Sequence, residues 1–193
     1  MATEESTSGS GGAVRSALAG LHVGVLGVWA GTLLTAGLAA ALAFPRMRAL
    51  EPTLGVFAGM REHHWSIAAG HVANPLLSAV VVGQAVLAGA ALATFVGARW
   101  RGGRVLMAVH GVALGCACLL AAGHAAVLQP AMARELEAYW SAARAGDDAA
   151  ALPHKEAFDA LHPAASRMMI GALACTLAAG VAGCVRLSGE RRV

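Results

Sequence analysis

Charge is what this sequence has least of. Only 13% of its 193 residues are Asp, Glu, Lys or Arg. A soluble domain carries about 25%, so the deficit excludes an ordinary water-soluble globule. Recognisable catalytic sets are missing as well. There is no Ser-His-Asp set, no HExxH and no paired intramembrane carboxylates, so no catalytic residue is assigned and an enzyme is not expected. The glycines lack the Gly-rich strand-to-helix turn that a dinucleotide fold requires, and no basic stripe with interleaved aromatics points to nucleic acid. The four cysteines, Cys116, Cys118, Cys175 and Cys184, all lie inside apolar runs. They are expected as small buried side chains rather than disulfides, metal ligands or redox sensors. Met1 to Gly12 lacks the positive start of a signal peptide, and the apolar run behind it is too long for a signal core. That run is expected to be retained.

Long apolar runs are what the sequence has in abundance, within a hydrophobic content of 58%. Val105 to Leu128 would make about 36 Å of helix, against a hydrocarbon core of about 30 Å. Residues 21–44, 71–96 and 168–187 behave alike. Such runs far exceed strand length, so the fold class is all-α: an integral membrane four-helix bundle with short helices in its two outer connectors. Residues 1–16 read as a disordered tail, 17–188 as the transmembrane domain and 189–193 as a basic tail. Pro45 is expected to end the first helix, and Gln129-Pro130 the third. Pro75 either starts the second helix or kinks it. In the second connector, Leu136, Tyr139, Trp140 and Ala143 form one face of an amphipathic helix that Gly146-Asp147-Asp148 breaks. Asp147 and Asp148 read as a solvated turn.

The loop Arg99-Trp100-Arg101-Gly102-Gly103-Arg104 is basic and free of acid. It places itself and both termini in the cytoplasm of a multi-pass cell-membrane protein, joined by Arg186, Arg191 and Arg192. Arg46 and Arg48 argue the other way.

Small residues and histidines carry the remaining signals. Gly20, Gly24, Gly27 and Gly31 line one face of the first helix, and Gly111 with Gly115 forms a second stripe. Such faces let a neighbouring helix come close, within the bundle or in a homo-oligomer or membrane-protein partner. Gln84 is the one amide deep in the membrane region and is expected to bond another helix or backbone. His110 and His124 are fourteen residues apart and share a helix face. Two layers of histidine follow, His22 with His110 near one boundary and His71, His124 and His162 near the other. Haem b or a transition metal could be held by His22 with His110, or by His124 with His71 or His162, in an electron-transfer protein. The simpler reading places each imidazole at a wet helix end, with no cofactor. His63 and His64 are adjacent and do not share a helix face, so they are poor joint ligands. Glu62 beside His63 and His64, or Asp159 beside His162, could be proposed as acid–base pairs, but orienting a histidine is the simpler role.

Leu21-His22 through Trp29-Ala30-Gly31 to Phe44-Pro45 resembles the opening of the transmembrane-protein-205-like membrane domain family, whose function is unknown. The series Phe158, His162 and Ser166 resembles that domain's closing segment. The likeness covers about a third of the chain. It implies four membrane helices and no catalytic residue. Taken together, the sequence favours a non-enzymatic membrane scaffold or interaction protein over the haem or metal alternative.

Overall fold

The computed structural model describes residues 8–60, 64–98, 100 and 103–190, with the side chains of 8–13, 15 and 190 excepted. Helix α1 runs Ser8–Leu50, α2 His64–Gly97, α3 Arg104–Gly123, α4 Gln129–Ala145 and α5 Asp148–Glu190. A π-turn over His124–Leu128 joins α3 to α4 without a break, and a 3-10 turn over Gly55–Phe57 sits between α1 and α2. Four helical stretches are long and apolar enough to cross a membrane. The chain is a multi-span, all-α membrane bundle.

Contacts between the helices give their directions. His22 on α1 bonds Ala91 and Thr94 near the end of α2. A Cβ added at Gly183 on α5 would lie 3.0 Å from Val23, and one at Gly171 would lie 3.0 Å from Leu120. Each neighbouring pair is therefore antiparallel, and the start of α1 stands beside the end of α5. Large apolar side chains such as Leu21, Val28, Leu34, Leu38 and Leu42 on α1 point outward and are more than half exposed. In water such a surface would drive aggregation, whereas in lipid it is the surface required.

The prolines do less than the sequence suggests. Pro45 lies inside α1, which continues to Leu50, and Pro75 lies inside α2. Pro130 sits in the first turn of α4 and does not end the third span. The Gln129 N–H reaches five residues back to the His124 carbonyl. This widened turn shifts the hydrogen-bond register just where Pro130 has no N–H to give, so the helix carries on. The amphipathic helix expected in the second connector is α4, ended at Gly146 as expected; it continues the third span through the π-turn, and the stretch up to His162 belongs to α5. The tail expected through residue 16 is helical from Ser8, while 1–7 and 191–193 lie outside the described residues.

Beyond the bundle, α4 and the start of α5 form a hairpin around Gly146. This residue has φ +73°, and its N–H closes the last turn of α4 on Ala142 and Ala143. Asp147 then accepts from the Ala150 N–H to cap α5. The break at Gly146 and the exposed Asp147 fit the expected solvated turn, but Asp148 opens α5 and is half-buried, with its Oδ1 shielded from solvent. Phe57, Met60, Ile67, Tyr139, Ala143 and Ala151 build a second small core against it. His64 holds the connector: it accepts from the Leu54 N–H at 3.0 Å and donates to the Met60 carbonyl at 2.9 Å. A Cβ at Gly59 would sit 2.6 Å from the Gly146 backbone, a separation only glycine permits. Gly59→Ala should therefore lower the thermal unfolding midpoint of the detergent-solubilised protein by several degrees. Gly55→Ala, where an added Cβ meets nothing, should leave it within about one degree, as is usual for a surface change. Equal midpoints for both variants would count against this contact.

Candidate functional site

Helices repeat nearly in phase every seven residues, two turns apart, and the chain uses that repeat to stack layers along the bundle axis. His22, Trp29 and Ala36 on α1 are all buried, as are His110 and Ala117 on α3 and His124 at the start of the π-turn that continues it. On α2 the matching series is Ala91, Gln84 and Leu77, and on α5 it is Gly183, Thr176 and Met169. The first layer holds both His22 and His110, the middle layer Trp29, Gln84, Ala117 and Thr176, and the last layer His124.

The first layer is the chemically distinct one. His22 and His110 come from diagonally opposed helices, are fully buried, and meet Nε2 to Nε2 at 3.0 Å. Their protonation pattern follows from the neighbours. His22 Nδ1 lies 3.1 Å from the Ala91 carbonyl, which can only accept, so Nδ1 carries the proton. The Thr94 hydroxyl is 3.0 Å from the same nitrogen and bonds the carbonyls of Ala90 and Ala91. The neutral His22 Nε2 is then an acceptor, and the His110 Nε2–H donates to it. His110 Nδ1 is left buried with no hydrogen-bond partner.

Aromatic rings enclose the pair. Phe95 and Trp100 stand 4.9 and 5.0 Å from the His110 ring, and Trp100 lies 5.3 Å from His22. The Arg186 guanidinium stacks over Trp100 at 5.2 Å, and its Nη1 is 2.7 Å from the Met107 sulfur. Arg186 is 4% exposed. Counted in the sequence as a charge marking the side of the termini, it folds back over the site. Gly183 lets α5 pack closely here, since an added Cβ would be 3.0 Å from Val23 and 3.4 Å from the His110 ring.

The other histidines do not assemble. His124 is buried at the π-turn, and its Nδ1 has no partner. His71 stacks on Trp140 at 4.0 Å and on Phe57, and His162 sits 5.8 Å from Phe158. Among the described residues neither ring pairs with the His124 ring. Asp159 pairs with Lys155 rather than His162, and His154 pairs with Glu135 at 2.8 Å. Glu62 and His63 lie outside the described residues. No three His, Cys, Asp or Glu side chains converge among the described residues. The inner pair does not fit a haem between its rings. Two imidazoles on opposite faces of one metal stand about 4 Å apart, twice a bond of about 2.0 Å, and here the rings touch.

Gln84 is buried in the middle layer, but its Nε2 has no partner, nor does the Trp29 Nε1 at the same level. The expected interhelical bond from that amide nitrogen is not formed. The cysteines form no disulfide, and Cys116 and Cys184 are exposed on the outer surface rather than buried.

No family model, curated protein or solved structure matches the chain. Its chemistry has to be read from its own residues.

The paired rings make a direct prediction. His22→Leu strands the His110 Nε2–H, which should cost about 1–3 kcal/mol, whereas replacing both histidines by Leu should cost less than the two single changes added together. Denaturant titration of chelator-treated protein in micelles measures this cycle. Additive losses would mean that the rings are not coupled.

Proposed function

We propose that this protein is a non-enzymatic membrane scaffold that associates with copies of itself through the outer face of α1. The observation that carries this reading is the glycine stripe. An added Cβ at Gly20, Gly24, Gly27 or Gly31 would meet no atom within 4 Å. All four are exposed, so the stripe is not used for packing inside the protomer, contrary to one of the two uses expected for it. Each glycine costs a helix up to about 1 kcal/mol relative to alanine, a cost that the protomer's own contacts do not offset. In lipid, the established use of such a stripe is close approach by another helix. Gly31 also borders a groove of about 400 Å³ along the seam between α1 and α2, lined by Val28, Thr32, Thr35, Ala36, Leu76 and Val80. The stripe on α3 supports this less. Gly115 is open, but Gly111 already lies against Phe95 within the protomer.

Both termini are taken as cytoplasmic. What supports this is the acid-free basic loop Arg99 to Arg104 between the second and third spans, against Arg46 and Arg48 after the first.

Gly27→Leu separates assembly from folding, because nothing in the protomer stands where the new side chain would go. Counting photobleaching steps across a dilution series in liposomes should give dimers or larger species for the native chain. The variant should shift to monomer, with at least tenfold weaker association and unchanged helicity and thermal midpoint. A native chain that stays monomeric at every dilution would sink this reading.

A further inference from the structure

We propose that Cys116 on α3 and Cys175 on α5 form a redox pair, two thiols that close to a disulfide when a membrane-dissolved quinone takes up their hydrogens. The proposal rests on helix register and is independent of self-association. Helices α3 and α5 run antiparallel, and their contacts fix which residues stand opposite. A Cβ added at Gly123 would lie 2.8 Å from the Met168 methyl, and one at Gly171 would lie 3.0 Å from Leu120. Farther along the same seam, Met107 meets Arg186. From Gly123 through Leu120, the next turn of α3 reaches Cys116. From Met168 through Gly171, the matching turn of α5 reaches Cys175. The two thiols are also near enough to interact electrostatically.

Their depth follows from the layers. Cys116 adjoins Ala117 and Cys175 adjoins Thr176, and both neighbours belong to the middle layer. Cys116 is exposed, Cys175 is half-buried, and both are free thiols. Surface exposed at that depth faces hydrocarbon rather than water. A disulfide needs Cα atoms within about 7 Å of each other, a separation that helices reach where small residues let them approach. Gly171 is one turn from Cys175, and Gly123 is two turns from Cys116. The remaining cysteines are placed differently. Cys118 lies about 200° around α3 from Cys116, and Cys184 lies about 13 Å along α5 from Cys175.

The surroundings select the oxidant. Exchange with a water-borne disulfide proceeds through a thiolate, and a charge at this depth is strongly disfavoured. A quinone dissolves in hydrocarbon and takes two hydrogens in one exchange that is neutral overall. Each thiol gives up one proton and one electron, the sulfur–sulfur bond forms, and the quinone becomes a quinol. The product ties α3 to α5 at mid-depth and closes a covalent loop through α4, which restricts the unfolded chain.

The test uses the native, full-length protein in liposomes, fully reduced and free of oxygen, mixed with a short-chain benzoquinone. Oxidised glutathione is added to a parallel sample. One quinol per protomer is expected, with a monomer lighter by two hydrogens and a digest peptide joining Cys116 to Cys175. Cys116→Ser and Cys175→Ser should each form quinol at least tenfold more slowly, whereas Cys118→Ala combined with Cys184→Ala should match the native chain. Oxidised glutathione should act at least tenfold more slowly than the quinone. The mass and the linked peptide are read on the native chain, so no variant has to fold. An unchanged mass, a linkage through Cys118 or Cys184, disulfides only between protomers, addition of the quinone to a thiol, or equal oxidation by glutathione would each overturn the proposal.

Discussion

The contact between His22 and His110 crosses the bundle on its diagonal, and the register of the other helices follows from it. Sliding α3 by one residue would swing His110 through about 100° and out of the interior. Because the buried residues recur every seven positions, the same slip would also displace Ala117 and His124. A polar contact in an otherwise apolar interior is a strong register device. Apolar side chains tolerate a neighbour of similar size, but a buried ring nitrogen without its partner costs about 1–3 kcal/mol. Ala91 and Thr94 extend the constraint to α2, and Gly183 extends it to α5. All four spans therefore meet in one layer.

The second constraint is the absence of water from the hydrocarbon core. Every backbone group there must find its partner within its own helix or very near it, which disfavours ending a helix at membrane depth. This explains why Pro45, Pro75 and Pro130 fail to interrupt the chain. The π-turn is the clearest case, since it answers the missing N–H of Pro130 with a longer bond one residue earlier. Continuing α4 and α5 beyond the lipid then lets the α1–α2 connector fold against them. The price of that small head is one close backbone approach, Gly59 on Gly146.

Much of the architecture was legible because composition and run length are coarse signals that survive any detail of packing. The four spans, the small turn at Gly146 and the shared face of His110 and His124 all follow from hydropathy and helical period. Other features needed tertiary information. The layer of His22 with His110 was legible too, but not that the two rings bond each other directly, since α1 carries one histidine and no spacing gives its distance from α3. Arg186 reads as a tail charge until α5 is seen to bring it over Trp100. The use of the glycines also could not be read from their spacing. A stripe on one helix face looks the same whether that face turns in or out, and only the positions of His22, Leu26 and Trp29 opposite it reveal which face the bundle keeps.

Helix α1 thus has two separate faces. The inner one carries His22, Leu26, Trp29 and Leu33, each at most 4% exposed. The outer one carries glycines around which there is open space. Because the glycines touch nothing in the protomer, a second helix lying along them would leave the inner register in place. Packing of the interior and association at the surface are therefore separable on physical grounds. The segment they share is a rigid rod that transmits rotation better than it transmits local strain. Any coupling between them would have to act through rotation or tilt of α1 as a whole, the motion to which the seven-residue layers offer most resistance.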